Sequence, residues 1–122
     1  MQYMLLIYND EPAWLALDAE KRSEITGEYL SLVEALRVTG QYLDGAPLQP
    51  SSVATTVRVR SGEQLVTDGP FADTKEQLGG FFMVEAESID EAIEIAARLP
   101  GARYGTIEVR PVAPVPAEAA SA

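Results

Sequence analysis

Neither cysteine nor histidine occurs anywhere in the 122 residues. The first absence removes disulfides, thiolate nucleophiles and thiolate metal sites together. The second removes histidine general bases, Ser-His-Asp machinery and the familiar zinc and non-haem iron ligand sets. No cofactor and no metal is therefore expected. Cations are scarce as well: nine Lys and Arg against nineteen Asp and Glu leave a formal charge of −10, whereas a surface that tracks phosphates needs clustered basic groups. Nucleic acid and anionic membrane are disfavoured as partners. No apolar run approaches membrane-spanning length, and the N-terminus lacks a basic region followed by a long apolar core. The expectation is a soluble, cytoplasmic protein.

What is present reads as one domain, long enough to bury about two thirds of its unfolded surface. Tyr3, Leu5 and Ile7 alternate with Met4, Leu6 and Tyr8, which predicts a first strand that is apolar on both faces. Asn9 to Pro12 supply turn residues, and Ala13 to Leu17 is expected as a short link whose Trp14 closes over the core as a lid. Asp18 caps a helix over residues 19–39, with Ile25, Tyr29, Leu32, Val33 and Leu36 on one stripe and Gly40 as its stop. Residues 42–48, broken by Gly45 and Pro47, read as irregular or at a sheet edge.

The alternation of Thr55, Val57 and Val59 with Thr56, Arg58 and Arg60 predicts a strand with one buried face, returned by Ser61-Gly62 into residues 63–67. Arg58 and Arg60 share the other face, solvated or paired with Glu. Residues 80–86 form another doubly apolar strand, with Phe82, Val84 and Ala86 opposite Phe81 and Met83. Ser88 and Glu91 make a capping box for a second helix to about Leu99, its buried stripe read as Ile89, Ala92, Ile93 and Ala96. A last strand turns Ile107 and Val109 inward. Residues 1–112 are thus one α+β domain, and 113–122 a mobile tail poor in large apolar residues.

Between the predicted strands lies the stretch Val66-Thr67-Asp68-Gly69-Pro70-Phe71-Ala72-Asp73-Thr74-Lys75-Glu76-Gln77-Leu78-Gly79-Gly80. Asp68, Gly69 and Pro70 each restrict the backbone in a different way, so this loop holds a shape. In a functional reading Asp68 is an acid or base, Lys75 an electrostatic clamp held by Glu76, and Phe71 an apolar wall. In a structural reading Asp68 caps the turn, Phe71 plugs the core, and Lys75 and Glu76 are solvated. A carboxylate satisfied by backbone donors has a lowered pKa, which counts against Asp68 as a base. Tyr29 and Tyr8 offer further polar tips, Tyr29 foremost because its helix faces the sheet. The acidic set Glu85, Glu87, Asp90 and Glu91 lacks the ligand alternation and glycine of a calcium loop. No P-loop, dinucleotide fingerprint or nucleophile elbow occurs.

That stretch, with the opening residues 3–8, the run 55–60 and the closing Ile107 to Val112, resembles the YCII-related proteins, in the branch marked by an Asp-Gly-Pro-Phe motif, here Asp68 to Phe71. The resemblance implies a dimeric α+β barrel. It also implies a His-Asp pair in some members, but the histidine position falls near Tyr29, so any activity here differs. Proteins of this branch are often associated with extracytoplasmic-function sigma factors.

The element order independently predicts a ferredoxin-like antiparallel sheet with two helices on one face and an inserted hairpin. Its other face would have no cover within one chain. A homodimer pairing two such faces would bury roughly 1,600 Å², a stable interface. Two functions follow: a small-molecule-binding dimer with isomerase- or lyase-like activity that needs neither metal nor histidine, or a non-catalytic regulatory module associated with a sigma factor.

Overall fold

The computed structural model describes residues 1–116. Eight residues, Gln2–Asn9, form β1, followed by a short helix α1 (Glu11–Ala16) and the long helix α2 (Ala19–Val38). Next come β2 (Tyr42–Pro47), a single 3₁₀ turn at Ser51–Val53, and the strands β3 (Thr55–Arg60) and β4 (Glu63–Asp68). The chain ends with β5 (Gln77–Glu85), α3 (Ile89–Arg98), the one-turn α4 (Gly101–Tyr104) and β6 (Thr106–Pro111). Four strands make one antiparallel sheet in the order β2-β5-β1-β6, and β3 and β4 make a separate two-stranded sheet. This is the expected α+β architecture with its inserted hairpin.

The core forms on one face of the larger sheet. Tyr3, Leu5 and Ile7 of β1 and Phe82 and Val84 of β5 meet Leu32 and Leu36 of α2 and Ala92, Ile95 and Ala96 of α3. Both helices therefore cover the same face. Their starts are capped as anticipated: Asp18 Oδ1 accepts from Lys21 N at 2.7 Å, and Ser88 Oγ accepts from Glu91 N at 3.2 Å. Glu91 reaches back one residue further than a standard capping box, accepting from Glu87 N.

Four expectations are corrected. The buried stripe of α3 is Ala92, Ile95 and Ala96, while Ile89 and Ile93 are 44% and 51% exposed. The helix is rotated because it packs on the sheet through its alanines. The link after β1 is helical, and Trp14 within it is only half-buried. Its start could have been read from the residues, since Asp10 Oδ1 accepts from Ala13 N with Pro12 in the first turn. β5 begins at Gln77, earlier than residue 80. Finally, β3 has no buried face: Val57 and Val59 are 58% and 61% exposed, because the hairpin stands off the core. Its turn is as expected, with Ser61 and Gly62 both at positive φ, the geometry that matches strand twist. The expected tail lies mostly outside the described residues.

The face of the larger sheet away from the helices carries Met4, Leu6 and Tyr8 opposite Met83, Phe81 and Leu78. These side chains are half-buried by one another, and Leu78 is 39% exposed. If the core is seated as described, Leu36→Ala costs about 2–5 kcal/mol, whereas Ile93→Ala stays within about 0.5 kcal/mol; urea unfolding of the two variants distinguishes this arrangement from one with Ile93 buried.

Candidate functional site

Tyr29 sits nearly three turns into α2, and its ring packs against Phe82 with centroids 6.1 Å apart. Its hydroxyl accepts a hydrogen bond from Gly101 N at 2.9 Å, at the first residue of α4. A side chain at Gly101 would place its Cβ 2.7 Å from Tyr29 Oη and 2.9 Å from Ile7 Cγ2, so only glycine lets the amide come this close. The hydroxyl proton has no acceptor among the described residues. Burial pushes the phenol above its ordinary pKa; the Gly101 N–H and the Arg103 guanidinium oppose that shift, and Glu28 adds to it. Arg103 is itself paired with Glu28 at 2.5 Å. Tyr29 is thus a neutral hydrogen-bond donor near neutral pH.

At the same end of the sheet, α4 leads through Gly105 against Tyr8 and Asn9, the last residues of β1. Asn9 Oδ1 is a buried side-chain oxygen without a hydrogen-bond partner among the described residues. It lies over Gly79, close enough that a side chain there would displace it. Tyr8 pairs with Leu78 and Thr106 in the register of the sheet. Glu76 is half-buried and accepts from Thr106 Oγ1 at 2.8 Å. Gln77 receives Glu11 N at 3.0 Å and donates to Thr74 O at 2.6 Å, while both Glu11 carboxylate oxygens hold Ser51. The loop that opens β5 is therefore tied to α1 and to the 3₁₀ turn.

The residues proposed from the sequence divide into two groups. Tyr29, Tyr8 and Glu76 belong to the same end of the sheet, Tyr29 on the helix side and Tyr8 with the Thr106-bound Glu76 on the other. Asp68 and Phe71 lie at the hairpin, both exposed, and Lys75 is exposed without an ion-pair partner among the described residues. The core-plug reading of Phe71 is corrected, since the ring is 78% exposed. So is the capping of the turn by Asp68: Gly69 N donates instead to Ala54 O, at 2.7 Å. Glu76 engages Thr106 rather than Lys75. Asn9, missed in the sequence, gave no signal beyond its place in a turn.

Two surface depressions lie elsewhere. One, of about 490 Å³, is lined by Gln41, Glu85, Glu87 and Glu91 near Met1, whose amino group pairs with Glu85. The other, of about 200 Å³, lies on the hairpin between Arg58, Leu65 and Phe71. No group of side chains suited to hold a metal occurs among the described residues. No helix there is long and apolar enough to cross a membrane.

The model of the YCII-related domain matches residues 1–116. The chain belongs to the YCII-related family. An uncharacterized protein of Rhizobium meliloti (strain 1021) is 38% identical over 115 residues, covering 93% of each chain. Among solved structures, 5-chloro-2-hydroxyhydroquinone dehydrochlorinase from Burkholderia phenoliruptrix AC1100, in complex with 2,5-dihydroxybenzoquinone, is similar with a TM-score of 0.54. It is 18% identical, with 93% of this chain and 94% of that one covered. That likeness shows the YCII-related α+β fold and no more.

Two outcomes follow from the Tyr29 contacts. Gly101→Ala destabilises by about 1–3 kcal/mol through the forced close contact, read by urea unfolding. Unfolded tyrosine ionises near pH 10, so the raised folded value means Tyr29 contributes its full stability below about pH 10 and loses it as pH rises from there through the folded value. Unfolding midpoints measured across that window fall with pH, and Tyr29→Phe removes part of the slope.

Proposed function

We propose that this YCII-related chain binds a small, partly polar molecule as a homodimer, at the end of the sheet where α4 lies against Tyr29 and Asn9, with Tyr8 and Glu76 on the other side of the same strand ends. The observation that carries this reading is the Asn9 side-chain oxygen: a buried acceptor without a protein partner is costly, and such groups are met by an ordered water, an ion or the donor of a ligand. Beside α4, Tyr29 supplies the complementary element, a neutral donor whose proton is uncommitted. Glu76, held by Thr106, adds a fixed carboxylate. A neutral donor and an amide acceptor suit a hydroxylated or carbonyl compound, the class on which isomerase- or lyase-like proton movement acts. The fold is also that of a dehydrochlorinase solved with 2,5-dihydroxybenzoquinone, which makes hydroxylated quinones and phenols the first ligands to try. The half-buried apolar side of the sheet supports the homodimer.

A second reading, a regulatory module of the sigma-factor-associated kind, is favoured by one observation. Leu36 and Phe82 fill the space between helices and sheet, at 0% and 6% exposure. The small-molecule reading accordingly rests on the end of the sheet rather than on a cavity beneath the helices.

A thermal-shift screen over hydroxylated aromatic and carbonyl metabolites tests both. A ligand at 100 times its Kd stabilises the fold by about 2.7 kcal/mol. Loss of one hydrogen bond in Tyr29→Phe or Asn9→Leu weakens binding by about 1 kcal/mol, roughly fivefold. Silence across these classes sinks the first reading and leaves the second.

A further inference from the structure

We propose that the β3–β4 hairpin is an arm that packs on a second copy of this chain through Val57, Val59 and Val66. The inference rests on the homodimer reading above and adds to it a contact that the sheet faces do not supply. A two-stranded hairpin alone in water is marginally stable at best. In this one, every residue of β3 and β4 except Thr56 is exposed. Val57 faces Val66 across the ladder and Val59 faces Gln64, so the three valines share one side. They are 58%, 61% and 55% exposed. Such a side is built to be covered.

The size of the sheet says by what. Four strands about 4.8 Å apart, six to nine residues long at about 3.3 Å each, present a flat footprint of roughly 450 Å² per copy. A standard stable interface takes about 800 Å² from each partner. Side-chain relief raises the accessible area above this footprint and brings stacked sheets near that size, and apolar surface beside them adds to it. The hairpin is inserted between β2 and β5, and the uncovered face of the sheet extends to Leu78, at the end of β5 next to that insertion. The half-exposed Leu48 flanks the same departure point, its amide bonded to Gly79 O at 2.9 Å. Apolar surface thus continues from the sheet toward the arm.

Charge points the same way. Two copies at −10 each repel, so contact is favoured where charge is least. The valine side carries a single charge, Asp68 at its base, whereas Arg58, Arg60 and Glu63 lie on the opposite side. That leaves the valines to meet the partner and the charged side to face water.

Sedimentation equilibrium of the full chain tests this. The parent protein is expected to be a dimer at micromolar concentration, and replacing Val57, Val59 and Val66 together with serine raises the dimer Kd at least about tenfold while circular dichroism stays unchanged. A parent that is monomeric overturns the homodimer reading and the arm with it. A dimeric parent whose triple variant dimerises equally tightly overturns the arm alone. Because the chain has no cysteine, Val57→Cys takes a single spin label, which also covers the case of a triple variant that misfolds. The label is expected to be immobilised in the dimer and freed on dilution to monomer; a label mobile in the intact dimer overturns the arm.

Discussion

Everything in this molecule depends on β1 and β5 being apolar on both sides. One side of each strand is saturated by α2 and α3: Leu5, Val84 and Leu36 reach 0% exposure. The other side has only its own neighbours, Met4 against Met83 and Leu6 against Phe81. A central pair of strands buried on both faces is stable only in a layered arrangement. One chain supplies two layers, and the pattern calls for more.

The polar chemistry is placed by the same constraint. Side chains in the middle of the sheet are committed to packing, so functional groups collect where the strands end. There α4 folds back over β1, and its glycines let backbone come close to Tyr29 on one side and to Asn9 on the other. The result is a donor, held by the Gly101 amide, and an acceptor, each with bonding capacity left over.

The fold was largely legible in the residues. Period-two alternation in residues 3–8 and 81–86, the caps at Asp18 and Ser88, and the turn at Ser61-Gly62 each stated a local preference that the tertiary structure kept. Failures came where a preference depended on a neighbour not visible in the sequence. Ile93 and Ile95 fit a helical stripe equally well until the sheet decides which of them turns inward. Val57 and Val59 read as buried because alternation reports a wish for cover, not the presence of cover in the same chain. The candidate site was half legible: Tyr29, Tyr8 and Glu76 were singled out by residue type and position. Asn9 was not, because its distinction is an unmet hydrogen bond, a property of its surroundings alone.

The order of the strands has a consequence during synthesis. β1 leaves the ribosome well before its partners β5 and β6, which lie roughly seventy to a hundred residues downstream. Until they emerge the segment destined for the centre of the sheet has neither edge bonded, a state prone to mispairing with other nascent chains. The hairpin, whose ladder closes over a two-residue turn, can form as soon as it emerges. Closure of the larger sheet around β1 therefore waits on the last third of these residues.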